Sequence, residues 1–328
     1  MLETPPPHPR LWVAIVNYRT APLVLDCLDS LSRIRQAGVA IAVTVVDNAS
    51  PDDSVEVLSQ GIAARQWQEW VHLDPQAHNG GFGYGSNIVL RQALAAELPP
   101  DYILLLNPDT VVREGAIAPL IEFLDAHPHV GLVGSRLEEA DGTPQYSAFR
   151  FPSLWNELDQ GLRLGVVSRL LKHQAITLPI TDEPCAADWL AGASLMLRRT
   201  MLEKVGLFDE KYFLYFEEVD FCRRAMQAGW GCWYVPQSRV IHWVGQSSGV
   251  TDTKRPPQRR PQYWFESRRR YFLKFHGWVY TALTDLLWML GFGLWRSRRP
   301  LQRKPDPDPP YFLQDFFLNS VWVKGGKL

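Results

Sequence analysis

The stretch FLYFEEVDFCRRAMQAGW (Phe213 to Trp230) places Glu217, Glu218 and Asp220 at the start of a helical pattern. A carboxylate held away from water gains proton affinity and can act as a general base. In a helix beginning near Glu217, Glu218 shares a face with the apolar Phe221, Cys222 and Ala225. Glu218 is therefore expected to point inward, with Glu217 and Asp220 neutralised by Arg224 as ordinary ion pairs. Acids in a first turn also complement the helix dipole, so the pattern by itself leaves a plain structural role open. Two other features could do chemistry. LLLNPDTVV (Leu104 to Val112) interrupts an apolar run with an amide, a proline and a carboxylate, and VIHWVGQSSG (Val240 to Gly249) places His242 at the end of another. Asn-Pro and Pro-Asp are common turn dipeptides, and a lone histidine is often a satisfied core residue. The elements around these residues decide between the readings.

WVAIVN (Trp12 to Asn17), IAVTVVD (Ile41 to Asp47) and YILLL (Tyr102 to Leu106) are short, nearly continuous apolar runs. That pattern suits parallel strands covered on both faces. Val24, Leu25, Leu28 and Leu31 recur at helical spacing between the first two runs, after Thr20 as a cap and Pro22 in the first turn. Ser50 and Pro51 read as the cap and first residue of a second helix, and NGGFGYGSN (Asn79 to Asn87) opens a third that runs to about Leu98. Alternating strands and helices predict a doubly wound α/β sheet whose ligand crevice lies beyond the carboxyl ends of the strands. Those ends carry Asn17-Tyr18-Arg19, Asp47-Asn48 and Asn107-Pro108-Asp109. Three polar strand ends on one edge favour a pocket over a mere turn. A dinucleotide oxidoreductase is excluded, because no GxGxxG follows the first strand and Gly80, Gly81, Gly83 and Gly85 have the wrong spacing.

With 328 residues, 46% of them hydrophobic, and a net charge of −1, the chain can bury a sizeable core and gives no sign of nucleic-acid binding. Cys27, Cys185, Cys222 and Cys232 lack metal or disulfide spacing and read as reduced thiols. The start, MLETPPPHPR, has no apolar signal core, so the protein is expected to stay in the cytoplasm. Charge is uneven, with thirteen Lys and Arg against three acids between Asp252 and Lys304, amid Trp264, Trp278, Trp288 and Trp295. Trp278 to Trp295 is eighteen residues long and centred on Asp285. That is short for a span of ~20 residues, and a central acid costs roughly 2.5 to 3.5 kcal/mol on insertion. An in-plane helix is expected instead, with Leu283, Leu286, Leu287, Leu290 and Leu294 on one stripe and arginines at both ends. A core or homodimer helix is the alternative.

The ordered set VAIVNYR, VVDNASPD, NGGFGYGSN, LLLNPD, WLAGASLMLRR, FEEVDFCRRA and IHWVGQSSG resembles the inverting family 2 glycosyltransferases of GT-A fold, most closely their rhamnosyltransferase branch. The resemblance runs from about Leu11 to Gly249. It implies an α/β, Rossmann-like nucleotide-binding half (11–112) fused to an acceptor-binding and catalytic half (113–249). A disordered N-terminus (1–10) and a basic, aromatic-rich, helical C-terminal extension (250–328), membrane-associating, complete the expected chain. By resemblance, Asn17, Arg19, Asp47, Asn48, Asn79, Gly81, Phe82, Asn87 and Asn107 bind the nucleotide sugar, and Asp47 recognises the base. Asn107 and Asp109 stand at the family's D-x-D position, with Asn in place of the first Asp, and Asp109 with His242 would hold Mg²⁺ or Mn²⁺. Glu218 or Glu217 would be the catalytic base, and Asp188, Trp189 and Gly192 would meet the acceptor. The implied activity is transfer of rhamnose or a related deoxyhexose from a nucleotide-diphosphate donor such as dTDP-rhamnose. The acceptor would be lipid-linked or a polysaccharide, at the cytoplasmic face of the inner membrane, in cell-surface glycan synthesis. A non-catalytic sugar-nucleotide-binding subunit is the alternative; Asp47, Asp109, Glu218 and His242 together argue against it. The absence of QxxRW argues against a processive synthase.

Overall fold

A computed structural model describes residues 10–36, 39–243 and 257–327. The elements follow one another as β1 (Leu11–Asn17), α1 (Ala21–Gln36), β2 (Ile41–Asp47), α2 (Ser54–Ala64), β3 (Val71–Pro75), α3 (Phe82–Ala95), β4 (Tyr102–Leu106) and β5 (Thr110–Val112). Then come α4 (Ile117–Ala126), β6 (Val130–Glu138), β7 (Ala148–Phe149), α5 (Leu154–Leu162), α6 (Gly165–Leu170), β8 (Cys185–Ala186), β9 (Trp189–Leu190) and β10 (Ser194–Arg198). The chain continues through α7 (Arg199–Val205), α8 (Glu217–Gln227), β11 (Gly231–His242), α9 (Gln262–Leu301), α10 (Phe312–Asn319) and α11 (Val321–Lys324).

Among the described residues, nine strands form one sheet in the order β3-β2-β1-β4-β10-β6-β11-β5, with β8 beside β11. β1 to β4 are parallel, and β10 runs antiparallel between β4 and β6. The alternation of side chains along each strand divides the core in two. Leu11, Val13 and Ile15 pack under α1, α2 and α4, while Ala14, Ile103 and Leu105 pack with α3, α7 and α8 on the other face. Both expected halves thus contribute to a single sheet. Register carries site residues to one edge: Asn17 pairs with Asp47, and His242 with Thr110.

Some expectations of local structure need correction. β3 is an edge strand with the polar His72 and Asp74 in it, so no apolar run announced it. Ser50 does not cap α2, which begins at Ser54; its backbone N–H and hydroxyl both donate to Asp47. Thr20 precedes α1, but its hydroxyl donates to Asn17 Oδ1. The cysteines are all free, and Cys185 is only half-buried. Residues 1–9 and Val244 to Gly249 of the last motif lie outside the described residues.

The C-terminal extension is helical and joins the body. α9 changes direction at Gly277 (φ 76°), its first half lying against α8 and its second against α5 and α10. No helix among the described residues is long and apolar enough to cross a membrane.

Candidate active site

A cavity of about 560 Å³ opens at the carboxyl ends of β1, β2 and β4. Val16 and Tyr18 come from the first strand end, Asn48 from the second, and Asn107, Pro108 and Asp109 from the third. Asn79, Gly81 and Phe82 enter from the start of α3, Gly192 from the turn before β10, Glu217 and Glu218 from α8, and His242 from β11.

The Gly-rich loop is shaped by close approach. Gly81 has φ 88°, and a Cβ there would lie 1.8 Å from the carbonyl oxygen of Phe213. That same oxygen accepts from Phe82 N at 3.1 Å. Asn79 Oδ1 accepts from Gly81 N and from the Asn48 amide, which also donates to Gly81 O at 3.0 Å. The loop is thereby locked to both the second strand end and the segment leading into α8, where Tyr215 and Phe216 also have positive φ.

LLLNPDTVV is a turn with a task. Thr110 Oγ1 donates to Asn107 O at 2.7 Å, closing a tight link between β4 and β5, which lie far apart in the sheet order. The link buries Asp109 and aims it at β11: Asp109 Oδ1 lies 3.5 Å from His242 Nε2. Asp109 Oδ1 and His242 Nδ1 are buried without a hydrogen-bond partner. Unsatisfied buried polar atoms are costly, and a carboxylate beside an imidazole is a donor set that Mn²⁺ or Mg²⁺ accepts. The described residues hold no group of three His, Cys, Asp or Glu placed for a metal. A cation here would therefore complete its shell with water and substrate oxygens.

The acid pair differs from expectation. Asp220 is the acid that Arg224 neutralises, at 2.6 Å, assisted by Lys274 at 2.5 Å and the Tyr212 hydroxyl. Glu217 takes no part in that network and lines the cavity beside Glu218, at the start of α8. Oε2 of each glutamate is buried without a partner. Burial, and then the charge of Glu218, pushes the Glu217 carboxyl well above the carboxylate range. Burial raises Glu218 to about 7. Both carboxyls therefore bind protons more tightly than exposed glutamates do, and they titrate as a pair.

Several residues assigned by pattern sit behind the cavity wall. Asn17 Nδ2 donates to Asp47 Oδ2 at 2.7 Å, so these two buried residues brace the paired ends of β1 and β2. Arg19 is exposed, 4.0 Å from Asp52. Asn87 bonds to Phe208 through both ends of its amide, pinning α3 to the following half of the chain. Asp188 accepts from Phe151 N, and the Trp189 indole donates to Arg150 O, so both hold the β7–β9 ribbon. Conversely, Phe213, Leu214, Tyr215 and Tyr263 line the cavity and were not singled out. Tyr263 belongs to α9, and no local pattern in the extension signalled a part in the site.

A mostly parallel sheet with a polar cavity at its strand ends, an Asn-Pro-Asp turn and a facing acid pair defines a glycosyltransferase of GT-A fold. The chain belongs to the glycosyltransferase like family 2, whose profile matches residues 8–271. It is 30% identical over 248 residues to the N-acetylglucosaminyl-diphospho-decaprenol L-rhamnosyltransferase of Mycobacterium tuberculosis, covering 72% of this chain and 77% of that one. Rhamnosyltransferase WbbL of Escherichia coli is 28% identical over 167 residues, 50% of this chain and 61% of WbbL. Among solved structures, GalNAc-T7 with UDP, GalNAc and Mn²⁺ superposes with a TM-score of 0.58 at 14% identity, over 94% of this chain and 54% of that chain. A likeness at that identity speaks for the fold.

Proposed function

We propose that this glycosyltransferase moves a rhamnosyl or related deoxyhexosyl group from a nucleotide-diphosphate sugar to a hydroxyl of a lipid-linked sugar, with inversion. The work would take place at a membrane surface, in cell-surface glycan synthesis. The rhamnosyltransferase relatives support the sugar, and the mycobacterial relative's name supports a diphosphate-lipid acceptor. The observation that carries the chemistry is the pair Glu217 and Glu218 facing one cavity with Asp109 and His242.

Glu218, with proton affinity near neutrality, takes the acceptor hydroxyl proton as that oxygen attacks the anomeric carbon. The bond from that carbon to the diphosphate breaks on the opposite face, so the configuration inverts. Glu217, its proton affinity raised by burial and by the neighbouring charge, lines the same cavity beside Glu218. Asp109 and His242 would hold the cation, which supplies charge neutralisation for the leaving diphosphate. Asn48, Asn79 and Asn107 offer amides to the donor without adding negative charge.

Purified full-length protein incubated with dTDP-rhamnose, UDP-sugars and GDP-sugars, with Mn²⁺ or Mg²⁺, tests this reading. Thermal stabilisation and slow hydrolysis with dTDP-rhamnose, and transfer to a diphosphate-lipid N-acetylglucosamine, are the expected outcomes. Equal inertness toward every donor would overturn it; turnover of another donor alone would overturn the rhamnosyl assignment.

A further inference from the structure

The helix α9 has an unpartnered side. From Trp278 onward its inner face packs closely, since a Cβ on Gly161 of α5 would lie 2.8 Å from Trp288 O of α9. Asp285 is on that inner face. It pairs with Arg268 at 2.6 Å and accepts from Val321 N, while Arg268 also pairs with Glu157 of α5 at 2.7 Å. The acid that would penalise membrane contact is thus neutralised inside the protein. Trp295, expected at an interface, is buried as well.

The outer face is a row of Val279, Leu283, Leu286, Leu290 and Leu294, each between 39% and 68% exposed. At 1.5 Å per residue it runs about 22 Å. At one end stand Trp278 and Trp322 of α11, edge to face at 5.5 Å and both exposed. Lys324 and Lys327 are exposed beyond them. At the other end Arg296 and Arg299 pair with Asp306, while Arg303 and Lys304 are exposed.

We infer that this face of α9 and α11 lies in the surface plane of an anionic bilayer, Val279 to Leu294 among the acyl chains and the cationic ends among the headgroups. Apolar rows of this length on a monomer's surface mark a docking site. Tryptophans at the edge and cations at both ends fit anionic lipid. A second copy would bring cationic ends against cationic ends in either orientation. Tyr263, in the first turn of α9, lines the catalytic cavity, so the helix that rests on lipid is also part of the cavity wall. That link rests on the proposed lipid-linked acceptor; the docking itself does not.

Flotation of the full chain with vesicles of phosphatidylcholine, alone or mixed with phosphatidylglycerol, is the test. The protein is expected to float with the anionic vesicles, less so at high salt. Leu286→Glu with Leu290→Glu should cut binding at least ~10-fold. Both side chains are exposed, so the melting temperature and donor hydrolysis should hold. Arg303→Gln with Lys304→Gln should weaken binding to anionic vesicles and flatten its salt dependence. The inference falls if wild type stays in the aqueous phase with both vesicles. It also falls if light scattering shows a dimer that the Leu286→Glu, Leu290→Glu variant dissolves. Loss of donor hydrolysis with any nucleotide sugar would count against the proposed function and leave the flotation result standing.

Discussion

Replacing Glu218 with Gln separates catalysis from stability, because the two should move in opposite directions. Burial raises the Glu218 carboxyl from its ordinary 4.5 to about 7. The folded protein therefore binds this proton more tightly than the unfolded chain does. The associated stability is fully present below about pH 4.5 and is lost as pH rises through about 7. Since a tenfold difference in proton affinity is worth about 1.4 kcal/mol, wild type should lose on the order of a few kcal/mol from this group between about pH 5 and pH 8. Glu218→Gln has no such proton to lose. Urea unfolding at the two pH values should show the variant gaining on the order of a few kcal/mol on wild type at the higher one. Transfer should fall at least ~100-fold while donor binding survives. Wild-type turnover should itself decline as pH drops below about 7, with the slope of one proton. Near-normal transfer by Glu218→Gln, with collapse in Glu217→Gln, would refute the assignment; an unchanged pH dependence of stability would refute its electrostatic basis.

Asp109→Ala should lower transfer by on the order of 10² to 10³ with the fold intact by circular dichroism. Undiminished turnover in the presence of chelator would exclude its proposed role. His242→Ala should raise the Mn²⁺ concentration needed for half-maximal rate, read from a metal titration. Gly81→Ala forces a Cβ onto Phe213 O at a φ of 88°, and should cost at least ~2 kcal/mol in urea unfolding and abolish donor binding. Arg268→Met leaves Glu157 and Asp285 buried without their cation and should cost about 3 to 5 kcal/mol. Asp285→Asn, which leaves the Glu157–Arg268 pair, should cost less.

Much of the architecture around the cavity was legible in the sequence. Continuous apolar runs marked β1, β2 and β4 because both faces of a central parallel strand are covered. Polar residues at their ends marked the crevice. The edge strand β3 was less plain, since a half-buried strand leaves no such run. Among the acids, the sequence specified that a helix begins near Glu217; helical spacing alone assigned Glu217 to an ion pair. Glu217 and Glu218 both line the cavity, and Lys274, from an element far along the chain, joins Arg224 on Asp220. Asn17 and Asp47 were correctly brought to one edge, but only the register of β1 against β2 let them bond to each other and withdraw from the cavity. Asp285 reads as a flaw in an apolar helix until Arg268 is placed opposite it. In each case composition and period specify which residues can be buried, whereas the partner that satisfies a buried charge comes from packing between segments remote in sequence.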